Sequence, residues 1–129
     1  MSNKNIPEEN KTLVSRFYEL ALNQRDFDAA RRYLGSYKQH NPLIEDGVEG
    51  LRKYLGWIKD NFPDSHSKVL RVFADEDTVV LHVHRIRTPG SRGDAIVDLF
   101  RVKDGKITEH WDVIQPVPES SANGNSMFY

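Results

Sequence analysis

The sequence predicts a single domain of the α+β class, in which helices precede a sheet of antiparallel strands. Apolar residues recur at helical spacing in the first half of the chain, whereas from Ser67 onward they alternate with polar residues, as in strands. The pair Asp104-Gly105 stands between two runs rich in β-branched and aromatic residues, which is typical of a hairpin turn. At 129 residues the chain is long enough for one compact core and too short for two.

Composition excludes several classes of protein. The formal net charge of −1 gives no electrostatic basis for binding nucleic acid or an anionic membrane. Cysteine is absent from the sequence, which excludes disulfides, thiolate metal sites and a cysteine nucleophile. No apolar run approaches the roughly 18 residues needed to cross a bilayer, and residues 1–11 lack the apolar core of a signal peptide. We therefore expect a cytoplasmic protein without nucleic-acid or membrane partners.

Two helices are predicted near the N-terminus. Residues 1–6 are expected to form a flexible arm, and Pro7 suits the first turn of a helix that extends to about Leu22. Asp26 can cap a second, shorter helix, which Gly35 would end. The main domain is therefore predicted to span residues 7–116.

A polar segment separates these helices from a third one. Residues 37–42 are expected to be extended or looped, because Pro42 disfavours helix at Asn41. The third helix begins near Gly47, and Phe62-Pro63 ends it.

Four antiparallel strands are predicted after the helices. Two of them, residues 69–74 and 78–87, are joined by an acidic turn, and the final hairpin covers residues 94–115. The polar tail, residues 117–129, is predicted to be loose unless residues 127–129 dock.

The final hairpin carries the candidate catalytic residues. Alternation places Asp98 and Phe100 on one face of the first strand, and His110 and Asp112 on one face of the second. A turn with a bulge at Gly105 sets Asp98 opposite His110, whereas a plain two-residue turn sets it opposite Trp111. We prefer the bulged register, because it leaves the other face mostly apolar. Carboxylates and an imidazole beside apolar residues indicate the lining of a pocket.

Further polar residues are predicted to reach the same pocket. If residues 89–90 centre the preceding loop, His82 falls in line with Asp98 and His110, and His84 joins a second row with Asp112. His40 and Asn41 can contribute from the loop between helices, although they can equally cap surface backbone. Core packing is the safer assignment for Trp57, which can also wall a pocket.

These residues permit acid–base chemistry at neutral pH, because desolvation raises the pKa of an acid and a nearby charge opposes that effect. Neither serine nor cysteine is placed as a nucleophile, and no glycine-rich phosphate loop is present, so the sequence does not support covalent acyl transfer or nucleotide chemistry. A metal held by His82, His84, His110 and Asp98 is a weaker alternative, and we predict none. The alternative without chemistry is a buried polar network that only fixes the sheet.

The sequence resembles the SnoaL-like family of the nuclear transport factor 2-like superfamily over residues 7–116. The resemblance rests on Tyr37-x-Gln39-His40-Asn41-Pro42, Asp46-Gly47, Asp98-x-Phe100-Arg101 and the segment from Asp104 to Asp112. It implies an α+β cone, in which N-terminal helices cover a curved antiparallel sheet and enclose a pocket. It also implies a homodimer formed through the outer face of the sheet.

The resemblance implies an activity as well. Polyketide cyclases of this family close a ring by aldol condensation without a cofactor, with an aspartate of the last strand as acid and base. Asp112 matches that aspartate. Taken with the shared-face pattern of the predicted strands, Asp98 and His110 would assist it. The substrate-binding residues would be His40, Asn41, His82, His84, Trp57 and Phe100. The predicted function is therefore aldol-type cyclisation or isomerisation of a small carbonyl compound.

Two alternatives remain open at this stage. Relatives of the fold open epoxides with an Asp-Arg-Asp set, but Arg85 and Arg101 are expected to point away from the pocket. A ligand-binding or dimerisation module without catalysis is the other alternative. A cavity filled by Phe100, Trp57 and Tyr18 would favour it.

Overall fold

The computed structural model describes residues 6–129. The predicted N-terminal arm lies outside the described residues except for Ile6, which begins the first helix. The helices are α1 (Ile6–Tyr18), α2 (Phe27–Arg31) and α3 (Gly47–Asn61), and a π-helical turn (Glu19–Asn23) continues α1. The strands are β1 (Leu34–Gln39), β2 (His66–Asp75), β3 (Thr78–Ile86), β4 (Asp94–Lys103) and β5 (Lys106–Pro116).

The helices begin where the sequence provides caps. The Asp26 carboxylate accepts a hydrogen bond from the backbone N–H of Ala29, and α2 starts at the next residue. Asp46 accepts hydrogen bonds from the backbone N–H groups of Gly47 and Gln39, so it fixes the start of α3 and the end of β1 together. Those two N–H groups lower the pKa of Asp46.

The predicted α+β cone is confirmed, with one strand more than expected. The five strands lie in the order β1-β5-β4-β3-β2, and the three helices pack on one face of this curled sheet. Strand β1 pairs in parallel with β5, so the sheet is mixed and not purely antiparallel. Gly35, expected to end α2, lies inside β1 instead.

The β4–β5 hairpin has neither of the two registers predicted from the sequence, in which Asp98 lies opposite His110 or Trp111. Asp104 and Gly105 both have positive φ, 51° and 74°, which is the geometry of a two-residue type I′ turn. The register then shifts at Thr108, where β5 carries one extra residue, so that Asp98 lies opposite Asp112. Ile107 lies opposite Val102 on the turn side of the bulge, and both side chains are buried in the core.

The β3–β4 register differs from the prediction by one residue. Leu81 lies opposite Asp98, and His82 therefore lies opposite Val97 on the outer face. Gly93, at φ 77°, ends the connecting loop so close to β3 that a Cβ atom would lie 2.2 Å from the carbonyl oxygen of Arg85. This approach fixes the pairing of Arg85 with Asp94.

The core lies between the concave face of the sheet and the helices. Helical residues Val14, Phe17, Leu55 and Ile58 pack against strand residues Val79, Leu81, Val83 and Phe100. No helix among residues 6–129 is long and apolar enough to cross a membrane. The outer face is covered only in part, since Val113 and Phe73 remain 70% and 60% exposed.

The end of the predicted loose tail is docked. Phe128 is 7% exposed, and its ring stacks on His84 with 3.9 Å between ring centroids. Arg71 donates hydrogen bonds to the Phe128 carbonyl oxygen at 2.7 Å and to Nδ1 of His82 at 2.8 Å. The tail therefore covers part of the outer face of β2 and β3.

Candidate active site

A cavity lies between the helices and the concave face of the sheet, in two adjoining parts. The inner chamber has a volume of about 40 Å³ and reaches Asp98, His110 and Asp112. The outer chamber has a volume of about 390 Å³, and Ile44, Tyr54 and Arg85 line both parts. The inner chamber admits roughly three water molecules, and the buried side chains of Tyr18 and Phe100 are among those that enclose it.

Asp98 and His110 form a buried pair at the floor of the inner chamber. Their side chains are 4% and 8% exposed, and His110 Nε2 lies 2.8 Å from Asp98 Oδ1. The Tyr18 hydroxyl, at the end of α1, donates a hydrogen bond of 3.0 Å to the other oxygen, Oδ2. Phe100 packs against the imidazole with 4.7 Å between ring centroids.

Gln39 determines which nitrogen of His110 carries a proton. Its Oε1 accepts a hydrogen bond from the backbone N–H of Asn41, which fixes that atom as the amide oxygen. The same oxygen lies 2.7 Å from His110 Nδ1. An amide oxygen cannot donate, so Nδ1 must be the protonated donor in this contact.

This tautomer has a consequence for Asp98. A neutral imidazole protonated at Nδ1 has a lone pair at Nε2, which can only accept a hydrogen bond. The 2.8 Å contact with Asp98 therefore contains one proton, either on Nε2 of an imidazolium or on the carboxyl group. The pair presents that proton within the cavity.

Asp112 lies opposite Asp98 and is the less buried of the two carboxylates. Both of its oxygens accept hydrogen bonds of 2.9 Å from Asn41 Nδ2, and its Oδ2 lies 3.8 Å from His110 Nε2. Burial raises the pKa of Asp112, while the Asn41 amide and His110 oppose that shift. Asp112 therefore has the environment of a general base tuned toward neutral pH.

Two tyrosines remain protonated in this environment. Burial raises the pKa values of Tyr18 and Tyr37 above the ordinary range, and the charge of Asp98 adds to the effect in both. The Tyr37 hydroxyl oxygen accepts a hydrogen bond from Gln39 Nε2, and no residue in 6–129 accepts its proton. Since Tyr37 lines the inner chamber, it can donate to a bound molecule.

Arg85 lies on the pocket face, so the prediction that it points away is wrong. It shares the inner side of β3 with Val83 and lines both chambers. Its Nε and Nη2 atoms donate to Oδ2 of Asp94 at 3.1 and 3.0 Å. Arg101 does face outward, where it donates to Glu109.

Three predicted pocket residues lie outside the cavity. His82 and His84 are on the outer face, because the β3–β4 register is one residue away from the predicted one. His84 Nε2 contacts the Arg92 carbonyl oxygen at 2.9 Å. His40 is also outside, with its ring stacked on Trp111 at 4.8 Å and its Nε2 lying 2.6 Å from Glu109.

The other predicted residues line the cavity in different ways. Asn41 is 8% exposed and contacts Asp112 directly, whereas Phe100 is a buried wall of the inner chamber. Trp57 lines the outer chamber and is 48% exposed.

The cluster offers three potential metal ligands. One ligand atom each from Asp98, His110 and Asp112 lies within 4.8 Å of the others, and within residues 6–129 no further His, Cys, Asp or Glu joins them. The proton between Nε2 and Asp98 occupies the direction in which His110 would bind an ion. The expectation of no metal stays a prediction.

Sequence reasoning missed Tyr37 as a site residue, and it gave Gln39 no role in orienting His110. Residues 37–41 alternate, with Tyr37, Gln39 and Asn41 directed toward the cavity and His40 directed outward. In a strand, alternate side chains point to opposite faces, so treating residues 37–41 as a strand predicts which of them face the cavity and which face outward.

The tautomer of His110 can be tested directly. We expect nitrogen-15 NMR of the imidazole to show a proton on Nδ1, because Gln39 Oε1 offers only an acceptor there. In Gln39→Met the acceptor is lost, and the ring should exchange between tautomers. The exposed His66 ring serves as an internal control in the same spectra. A wild-type His110 protonated only at Nε2 would contradict the assignment.

The SnoaL-like domain family matches residues 14–110. The chain belongs to the SnoaL-like family. The match covers most of the sequence, from α1 to the first half of β5, and includes both Asp98 and His110. No curated protein matches the sequence.

Solved structures of several other proteins share the fold at low identity. A Bacillus cereus protein assigned as a polyketide cyclase has a TM-score of 0.71 and 22% identity, over 82% of this chain and 74% of that one. A Kribbella flavida protein assigned as a ketosteroid isomerase has a TM-score of 0.68 and 22% identity, over 89% and 84%. An NTF2-like protein of unknown function from Cytophaga hutchinsonii has a TM-score of 0.65 and 23% identity, over 83% and 90%. At these identities the comparisons establish the fold.

Proposed function

We propose that this SnoaL-like protein is a cofactor-independent enzyme that enolises a small carbonyl compound, as an aldol-type cyclase or an isomerase. The observation that carries the proposal is the Asp112 carboxylate, held by Asn41 in a desolvated chamber beside the proton shared by His110 and Asp98. A base and a proton donor on the same cavity are the groups that proton transfer next to a carbonyl requires.

The reaction begins with proton removal by Asp112. The carboxylate takes the proton from the carbon next to the carbonyl group, the electron pair of that C–H bond forms a C=C bond, and the π pair of the carbonyl group moves to its oxygen. The developing oxyanion accepts a hydrogen bond from Tyr37, whose hydroxyl proton has no acceptor among residues 6–129. Low dielectric in the chamber strengthens this interaction.

Two outcomes follow from the same enolate. In cyclisation the enolate carbon bonds to a second carbonyl carbon of the substrate, and the new alkoxide takes a proton from Asp112. In isomerisation Asp112 returns the proton to a different carbon. Both routes conserve atoms and charge, and neither needs an oxidant, a reductant or a cofactor.

Hydrolysis of an epoxide is the second candidate, and one observation favours it. Arg85 is paired with Asp94 and lines the inner chamber together with Asp98 and Asp112, which supplies an arginine among carboxylates. A water molecule held by Asp112 and Asn41 would be the nucleophile, and it would transfer its oxygen to the product. Turnover in oxygen-18 water distinguishes the two reactions. Epoxide hydrolysis places one labelled oxygen in the product diol, whereas aldol condensation forms a C–C bond and adds no oxygen from water.

The experiment for the leading proposal needs no knowledge of the natural substrate. Aryl methyl ketones such as 4-acetylbenzoate are incubated with the protein in D₂O, and loss of the methyl proton signal is followed by NMR. We expect exchange above the buffer rate in wild type. Exchange at the buffer rate across a series of ketones of different length would contradict enolisation.

We also propose a homodimer formed through the outer face of the sheet. Val113 and Val97 are paired neighbours on that face and are 70% and 40% exposed, which leaves apolar area for a second copy. Val113→Lys should convert a dimer into a monomer in light scattering while the circular dichroism spectrum stays that of the folded protein. A wild-type protein that is already monomeric would contradict the proposal.

A further inference from the structure

Arg87 is held at the outer chamber by aromatic rings. Its guanidinium carbon lies 5.3 Å from the ring centroids of Trp57 and Phe62 and 5.7 Å from that of Tyr54. Nη2 donates a hydrogen bond of 2.6 Å to the Tyr54 hydroxyl. These contacts fix the position of the charge but provide no negative partner.

The other cations that line this chamber are paired. Arg85 donates to Asp94, and Lys53 lies 3.2 Å from Glu45. Arg87 forms no ion pair with any residue in 6–129, and its Nη1 is buried without a hydrogen-bond partner. Guanidinium groups removed from water are ordinarily paired with an acceptor, so a buried and unsatisfied one indicates a missing partner.

The surroundings of Arg87 indicate what that partner is. The outer chamber is walled by Leu43, Ile44, Trp57 and Ile114, which suit an apolar or aromatic body. A carboxylate matches the fork of guanidinium N–H groups and can accept two parallel hydrogen bonds. The inner end carries Asp98 and Asp112, which repel an anion. Charge therefore orients such a molecule in one direction, with its anionic group outward.

We propose that the substrate is a carboxylate-bearing carbonyl compound with an apolar or aromatic body, and that Arg87 binds its carboxylate in the outer chamber. This inference rests on the proposed function for the identity of the inner group, a carbonyl beside Asp112. One of the rings around the guanidinium, that of Trp57, is 48% exposed, so an entering carboxylate can displace it without opening the core.

The competing explanation is that the three rings alone stabilise the cation. It predicts that ligand charge has no effect on binding. The probes are therefore matched pairs, 4-acetylbenzoate with 4-acetylbenzamide and their longer-chain homologues. Each pair shares the ketone and the ring and differs only in the charge of the far end.

Binding is measured by calorimetry for wild type, Arg87→Met and Arg52→Met. Arg52 lies on the exposed side of α3 and is paired with Glu49, so its variant matches the change in net charge away from the cavity. We expect wild type and Arg52→Met to bind at least one acid about tenfold or more tightly than its amide. Arg87→Met should bind both members of each pair alike.

Several outcomes would overturn the inference. The inference is wrong if wild type binds acid and amide with equal affinity, or if it binds no acid at millimolar concentration. It is also wrong if a folded Arg87→Met keeps the preference for the acid. Proton exchange on the same ketones separates this inference from the proposed function. A charge preference without exchange would refute only the chemistry, and exchange without a charge preference would refute only the carboxylate site.

Discussion

Replacing Asp112 by Asn is expected to lower the enolisation rate by about 10²- to 10⁴-fold, the range typical for loss of a general base. The variant keeps a similar shape, and its amide oxygen can still accept from Asn41, so the fold and ligand binding should remain. Methyl-proton exchange in D₂O measures the rate. Glu109→Gln is the matched control, because it makes the same chemical change on the outer side of β5. A rate in Asp112→Asn within a few-fold of wild type would refute the role of this residue.

The pH profile of exchange tests the same role independently. Asp112 acts as a base only when ionised, so the rate should rise with pH and level off above the pKa of Asp112. Burial raises that pKa, so the midpoint should lie above the ordinary range of an aspartate. Asn41→Ala removes the amide that stabilises the charged form and should shift the midpoint further upward. A downward shift, or none, would contradict the assignment.

Asp98→Ala is expected to reduce the free energy of unfolding by about 3–5 kcal/mol, the usual effect of removing one member of a buried pair. The change leaves the Tyr18 hydroxyl without its acceptor and His110 Nε2 without its partner, both inside the core. Urea denaturation measures the loss, with Asp98→Asn as the matched variant.

Asp98→Asn separates hydrogen bonding from the shared proton. The new amide oxygen can accept from Tyr18, and the new NH₂ group can donate to Nε2 of a neutral His110 protonated at Nδ1. We therefore expect it to lose much less stability than Asp98→Ala while it still lowers the exchange rate. Equal loss of stability in the two variants would mean that the Asp98–His110 contact is not the one-proton hydrogen bond inferred here.

Much of the fold follows from local features of the chain. Asp26 and Asp46 mark the starts of α2 and α3 because their side chains accept backbone hydrogen bonds there. The Asp-Gly turn predicts the β4–β5 hairpin, because positive φ at both positions matches the twist of the strands. β1 was not predicted as a strand, because the strand that it pairs with, β5, lies about 70 residues later in the chain.

The candidate site was less predictable, since it depends on registers that sequence alone does not fix. Asp98, His110 and Asp112 share a face as expected, yet through a bulge at Thr108 and not at the turn. His82 and His84 were misplaced because a shift of one residue moves every side chain of a strand to the opposite face. The same shift brought Arg85 inward.

The extra residue at Thr108 lets Ile107 and His110 both face the core although they are three positions apart in the sequence. Loss of the codon for Thr108 would therefore leave a regular strand, with His110 still opposite Phe100. A codon gained after the bulge would instead turn His110 outward and Trp111 inward, which exchanges an ionisable group for an indole. The interior thus tolerates a shorter strand and not a longer one.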